Sequence, residues 1–319
     1  MLLDEISRTQ DFLELKKERS KNVFPKALLL ISKDGNYLQE FAKAVAMLIF
    51  DGEMNFQSEN SVKILADSHP DLKVYPTKDK LMVADSEEIG DESFVKPIFS
   101  DKKVFIINNF DNSMESAQNK LLKVLEEPSK NVYLILTCTN PNLVLPTIRS
   151  RCNKLELARL NDQQIDRLLP KLDDKTKALV LACSDGQVGK ALAIAKMRNF
   201  DNLCAAAVNV FTQMKNSKQV LKFSKELMFF KENMTLLLDM LAITLEDLIK
   251  IKSNQISLVK LTPFLDELKA CQGDYTVRAL CQIAPLLDKV AMEKSFNVNA
   301  TLTIENLLLN ILEVKYICR

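Results

Sequence analysis

Three short apolar runs, Ala27 to Ile31, Val104 to Ile107 and Val132 to Thr137, constrain this chain more than any other feature. Runs this short, unbroken by polar residues and bounded by polar turns, suit strands buried on both faces of a parallel sheet. Helix-length segments separate them. A helix is expected from Leu38 to Phe50, where Phe41, Val45 and Leu48 repeat at helical spacing. Another is expected from Ser86 to Phe99, with Ser86 as its cap, and a third ends before Pro128. That third helix carries an inward stripe of Ala117, Leu121, Leu122 and Leu125, with Asn112 as cap and Glu115 as reciprocal partner. Leu72-Lys73-Val74-Tyr75 alternates as a half-buried strand does. Strands alternating with helices predict an α/β domain over residues 1–160.

Beyond Leu160 the pattern is helical only. Segments 165–169, 175–183 and 190–197, interrupted at Ser184-Asp185-Gly186-Gln187-Val188-Gly189, predict a small helical module over 161–205. Longer striped helices follow over 206–319, including Leu227 to Ile251 and a final one with Ile304, Leu307, Leu308, Ile311 and Leu312 inward.

Forty-three basic against 42 acidic residues leave a net charge of +1, which excludes a uniformly basic coat for nucleic acid. No run approaches the length of a membrane span, and the first residues carry no basic and apolar leader pattern, so a cytoplasmic protein is expected. Seven scattered cysteines, at 138, 152, 183, 204, 271, 281 and 318, form no C-x-x-C pair and suit buried free thiols. The single histidine, His69, has no second histidine to share a metal and is expected in the loop before a strand.

The chemistry lies in three places. A phosphate-binding loop needs glycines whose amides surround phosphate, a lysine for the terminal phosphates and a hydroxyl for magnesium. Ser32-Lys33-Asp34-Gly35-Asn36-Tyr37-Leu38-Gln39 follows the first strand, and only Gly35 fits; Leu38 stands in the lysine's place. Magnesium-dependent hydrolysis also needs acids at the end of a neighbouring strand. Asn108 and Asn109 stand there, and neutral amides can neither balance the metal nor act as base. The third place is Arg149-Ser150-Arg151-Cys152, after a loop flanked by Pro141 and Pro146.

Taken together, Lys120 through Leu125-Glu126-Glu127-Pro128, Leu136-Thr137, Pro141 and Leu145-Pro146-Thr147-Ile148-Arg149-Ser150-Arg151-Cys152 resemble the clamp-loader branch of the AAA+ ATPases. Phe296-Asn297-Val298-Asn299-Ala300, with Leu302, Glu305 and Leu307-Leu308-Leu309, is similar to the close of that family's C-terminal domain. The resemblance implies an AAA+ core with a RecA-like parallel sheet, a helical lid and an all-α collar domain. It implies that Arg151 is an arginine finger reaching the γ-phosphate of a neighbouring subunit, a role suited to a planar, permanently charged fork. Arg149 is then the lesser candidate, Ser150 supports the local backbone, and Cys152 packs rather than reacts. Thr137 and Asn140 stand where a first nucleotide sensor would be, and Lys190 where a second would be.

Implied partners are gamma/tau and delta subunits, with the sliding clamp and primer-template DNA reached through the complex. ATP is expected on the neighbours and none on this chain, so no ATPase activity is expected of it alone. Family members commonly carry a four-cysteine zinc module after the first helix, whereas 51–68 has no cysteine, so zinc is not expected. Two alternatives stay open: an ATP-binding subunit with an unorthodox loop built from Lys33 and Gly35, or a static scaffold in which Arg149 and Arg151 form salt bridges.

Overall fold

The computed structural model describes residues 1–293 and 299–317 and separates into two compact units. The first holds 1–164 and 187–190, the second 165–186 and 191 onward. The Phe296 to Val298 part of the C-terminal motif and Cys318 lie outside the described residues.

The first unit is built on five parallel strands: β1 (Ala27–Ile31), β2 (Leu72–Tyr75), β3 (Lys103–Ile107), β4 (Val132–Cys138) and β5 (Asn153–Glu156), in the order β2-β3-β4-β1-β5. The three apolar runs are the three inner strands, and every residue of β3 and β4 is buried. The polar strands β2 and β5 take the edges, where charged residues such as Lys73 and Lys154 discourage pairing with another chain. Helix Gly35–Asp51 is apolar almost all round because it lies between the sheet and the helices Leu2–Ile6, Gln10–Ser20 and Glu59–Leu65. The second unit is all helical, and its last helix, Ala300–Ile317, buries the expected stripe from Ile304 to Leu312.

Helix boundaries differ from the sequence expectation in several places; the segment expected at 165–169, for one, is helix Asp162–Asp166. The third helix spans Glu115–Glu126, and Met114, not Asn112, stands at its cap, because Phe110–Asn112 is already committed to a 3-10 turn. The helix expected from Ser86 begins at Val83, since the Asp85 carboxylate accepts the Met82 amide at 2.8 Å, and it ends at Glu92. The long helix expected from Leu227 is two, Val220–Met228 and Met234–Lys252, divided by a short turn through Lys231–Asn233.

Acidic side chains secure the loops. Asp71 is fully buried and accepts the amides of Ile98, Phe99 and Ser100 at 2.6–2.7 Å. Asp51 accepts from Ser58, Asn60 and Ser61, which fixes the cysteine-free connection after the first helix. In the second unit Asp247 accepts the amides of Lys260 and Leu261 and pairs with Lys250. Of the described cysteines, 138, 152, 183, 204 and 271 are buried, whereas Cys281 is exposed.

His69 is buried, stacked on Phe50 at 4.2 Å and edge-on to Phe99. Its Nδ1 accepts the Asp71 amide at 3.2 Å, so the proton belongs on Nε2, which faces Asn60 Oδ1 at 3.1 Å. Burial holds its pKa below the ordinary value, against the opposing charge of Asp71. As pH falls through about 6.5 the unfolded chain takes up a proton that the folded chain refuses, so stability falls until the lower folded value is reached. No other side chain of this one-histidine protein ordinarily titrates there. Unfolding free energy measured by denaturant between pH 7 and pH 5 should therefore decline, by at most about 1.4 kcal/mol per pH unit, and the His69→Gln variant should lose that slope.

Candidate functional site

The carboxyl ends of β1, β3 and β4 lie side by side, the place where open parallel sheets hold ligands. Ser32 donates its amide to the Cys138 carbonyl at 3.2 Å, which brings the loop after β1 against the end of β4. The helix that starts there has a cap the sequence reading passed over. Asp34, 7% exposed, accepts the Tyr37 amide on Oδ1 at 3.2 Å and the Gly189 amide on Oδ2 at 3.0 Å. An anion at a helix N-terminus satisfies orphan amides and opposes the helix dipole, which is what a bound phosphate does there. The anion in this protein is its own side chain.

The other loop positions agree with that occupation. Tyr37 and Leu38 are 2% and 1% exposed, and the Tyr37 ring packs edge-on to Phe41 at 5.9 Å. Leu38, in the lysine's place, is thus a core residue. Gly35 is the first residue of the helix, and a methyl group there would meet nothing within 4 Å, so neither space nor backbone demands glycine. Lys33 is exposed. Gly189 is closely approached: a Cβ would lie 2.6 Å from Asn36 Nδ2 and 2.8 Å from Asp34 Oδ1, so a larger residue would displace those side chains. Its place in the sequence, inside a break read only as a turn, carried no sign of that approach. Lys190 follows it in helix Val188–Ala195.

At the ends of β3 and β4 the two asparagines bond within the protein. Asn108 donates its amide to the Tyr75 carbonyl at 2.7 Å, and its Oδ1 faces the Thr137 hydroxyl at 3.4 Å. Asn109, at φ 51°, donates its amide to Thr137 Oγ1 at 3.1 Å. Left-handed backbone is tolerated by asparagine better than by most residues. The acid that does stand nearby, Asp111, spends one oxygen on the amides of Thr139 and Asn140 and the Thr139 hydroxyl, at 2.8–3.1 Å. Asn140 caps the next turn by accepting the Asn142 amide at 3.1 Å.

The Arg149 to Cys152 segment closes the short helix Pro146–Arg149 and leads into β5. Helix Glu115–Glu126 frames it at both ends. The buried amide of Gln118 donates to the Leu143 carbonyl and accepts from the Leu145 amide, at 3.2 and 2.9 Å. Glu126, the last residue of that helix, accepts Arg151 Nε at 2.7 Å and also pairs with Nη2. Arg151 Nη1 donates to the Thr147 carbonyl at 2.9 Å, and the side chain stays 34% exposed. Ser150 donates to the same carbonyl at 3.0 Å. Arg149 is half buried, its Nε enclosed without a hydrogen-bond partner. Burial pushes the thiols of Cys138 and Cys152 each up to about 12; for Cys138, the Asp111 charge adds to the rise and Arg149 opposes it. Cys152 is a neutral packing group.

An α/β unit built on five parallel strands, followed by helices, is the architecture expected above for an AAA+ core with a helical C-terminal part. Residues 8–161 match the family described as DNA polymerase III, delta subunit. It is 30% identical over 200 residues to the DNA polymerase III subunit delta' of Bacillus subtilis, covering 60% of this chain and 61% of that protein. It is 30% identical over 135 residues to DNA polymerase III subunit gamma/tau of Mycobacterium bovis, covering 40% of this chain and 22% of that one. A solved gamma subunit-related protein from Thermotoga maritima aligns over 95% of this chain and 99% of its own, with 20% identity and a TM-score of 0.49. The chain thus spans about three fifths of its delta' relative and about a fifth of the gamma/tau protein. Among the described residues no helix is long and apolar enough to cross a membrane.

Replacing Asp34 should expose what its carboxylate does. Asp34→Ala removes a helix cap and leaves the Gly189 amide without its acceptor, a loss of about 2 kcal/mol in a denaturant melt, whereas Asp34→Asn should retain most of the stability. Equal midpoints for Ala and wild type would contradict the cap.

Proposed function

We propose that the chain acts as a delta'-type clamp-loader subunit that binds no nucleotide itself and lends Arg151 to the ATP site of an adjacent gamma/tau-type subunit. The observation that carries this reading is the occupied helix N-terminus: Asp34 fills the phosphate position and Leu38 is buried where a lysine would reach out. Arg151, by contrast, stands at the surface on a framed turn, where a neighbour could meet it. Its guanidinium would meet the γ-phosphate as charge shifts during transfer, with Ser150 and Cys152 shaping the turn. Arg149, half enclosed, is the lesser candidate.

In this reading residues 1–160 form the core, 161–205 a helical lid and 206–319 a collar that joins gamma/tau and delta subunits in a pentameric ring. The assembly would open a sliding clamp and place it on primer-template DNA in the cytoplasm, with ATP on the neighbours and no zinc on this chain. Thr137 and Lys190 are then structural remnants of nucleotide sensors, a role supported for Thr137 by its bonds to Asn108 and Asn109. The unorthodox-loop alternative loses support because Gly35 meets no demand for glycine.

Arg151→Ala should leave folding and assembly intact while slowing ATP turnover at the interface it serves by about three orders of magnitude, measured in a reconstituted complex whose other sites are disabled. Unchanged turnover would favour the static scaffold. The isolated chain should show no magnesium-dependent ATP binding by calorimetry at micromolar to low millimolar nucleotide; saturable micromolar binding would sink the proposal.

A further inference from the structure

A guanidinium has five N–H donors, and the bonds around Arg151 use only some of them. Nε donates to Glu126 Oε1, Nη2 forms an ion pair with the same oxygen, and Nη1 donates to the Thr147 carbonyl. Donor hydrogens remain on the Nη atoms for phosphate oxygens. The side chain is held by its flank while these donors stay available.

We infer that Glu126 is a positioning residue for Arg151. This rests on the finger role proposed above and assigns a second residue of this chain to the trans site. An unrestrained arginine loses much rotamer freedom when it docks, whereas one already gripped by a carboxylate and a carbonyl loses less. Glu126 is suited to the task because it ends helix Glu115–Glu126, the same helix whose Gln118 pins the loop leading into the arginine turn. Loop and guanidinium therefore share one rigid reference. The pair is half exposed, at 34% and 48%, so its strength is that of a surface ion pair: enough to bias an orientation and too little to trap the arginine.

The test is a double-mutant cycle in the complex reconstituted with gamma/tau-type and delta-type subunits, read as ATP turnover at saturating ATP and as KM for ATP. Glu126→Ala should reduce maximal turnover about two- to fivefold with assembly and KM unchanged, Glu126→Gln should restore part of it, and Glu126→Ala should add nothing in an Arg151→Ala background. If Arg151→Ala slows turnover while Glu126→Ala leaves it unchanged or raises it, the inference fails and the finger role stands. Additive losses in the double variant would also overturn it, since Glu126 would then act elsewhere. No effect of Arg151→Ala would bring down the finger role itself.

Discussion

At the start of helix Gly35–Asp51 a carboxylate does the work that a bound phosphate does at an anion-binding helix N-terminus. Asp34 neutralises the positive end of a 17-residue helix, satisfies the Tyr37 amide, and reaches across to the Gly189 amide, all in a place 93% removed from solvent. A second anion brought there would have to displace this one, leaving a buried carboxylate against a phosphate of like charge. The apolar residues that follow reinforce the exclusion, since Leu38 and Phe41 are core residues and Leu38 stands where a lysine would reach phosphate. Gly189 completes the arrangement by letting backbone approach the cap within reach of its second oxygen.

The opposite economy governs the arginine turn. At the ends of β3 and β4 the polar side chains bond within the chain: Asn108 and Asn109 with Thr137, Asp111 with Thr139 and Asn140. Arg151 is satisfied only in part, and by groups at the surface. A filled helix N-terminus beside a partly satisfied surface arginine is the arrangement that the proposed trans role calls for, and helix Glu115–Glu126 connects the two regions: its first turn follows the Phe110–Asn112 turn and its last residue grips the arginine.

Much of the sheet was readable because burial on both faces demands uninterrupted apolar runs, and the runs at β1, β3 and β4 have few other uses. Caps were less readable. Met114 and Met82 cap helices without a side-chain acceptor of their own, and Asn112 and Ser86, better cap residues by type, were claimed by a 3-10 turn and a helix interior. The single helix expected from Leu227 to Ile251 breaks at a turn of Lys, Glu and Asn that carries neither proline nor glycine. Asp34 could have been found, since aspartate before a helix and three residues ahead of a free amide is a cap signal; its second bond, 155 residues away, could not. The Glu126 to Arg151 pair, 25 residues apart, has no sequence signature at all.

The central claim is geometric: this chain's own cleft is filled by Asp34, and its arginine serves a neighbour. A structure of the assembled ring with a magnesium-bound, non-hydrolysable ATP analogue measures both halves at once. The expected result is Arg151 with its guanidinium about 3 Å from γ-phosphate oxygens of the adjoining subunit, and Asp34 still bonded to Tyr37 and Gly189. A nucleotide seated between Ser32 and Leu38 of this chain, or Arg151 directed away from every phosphate, would contradict it.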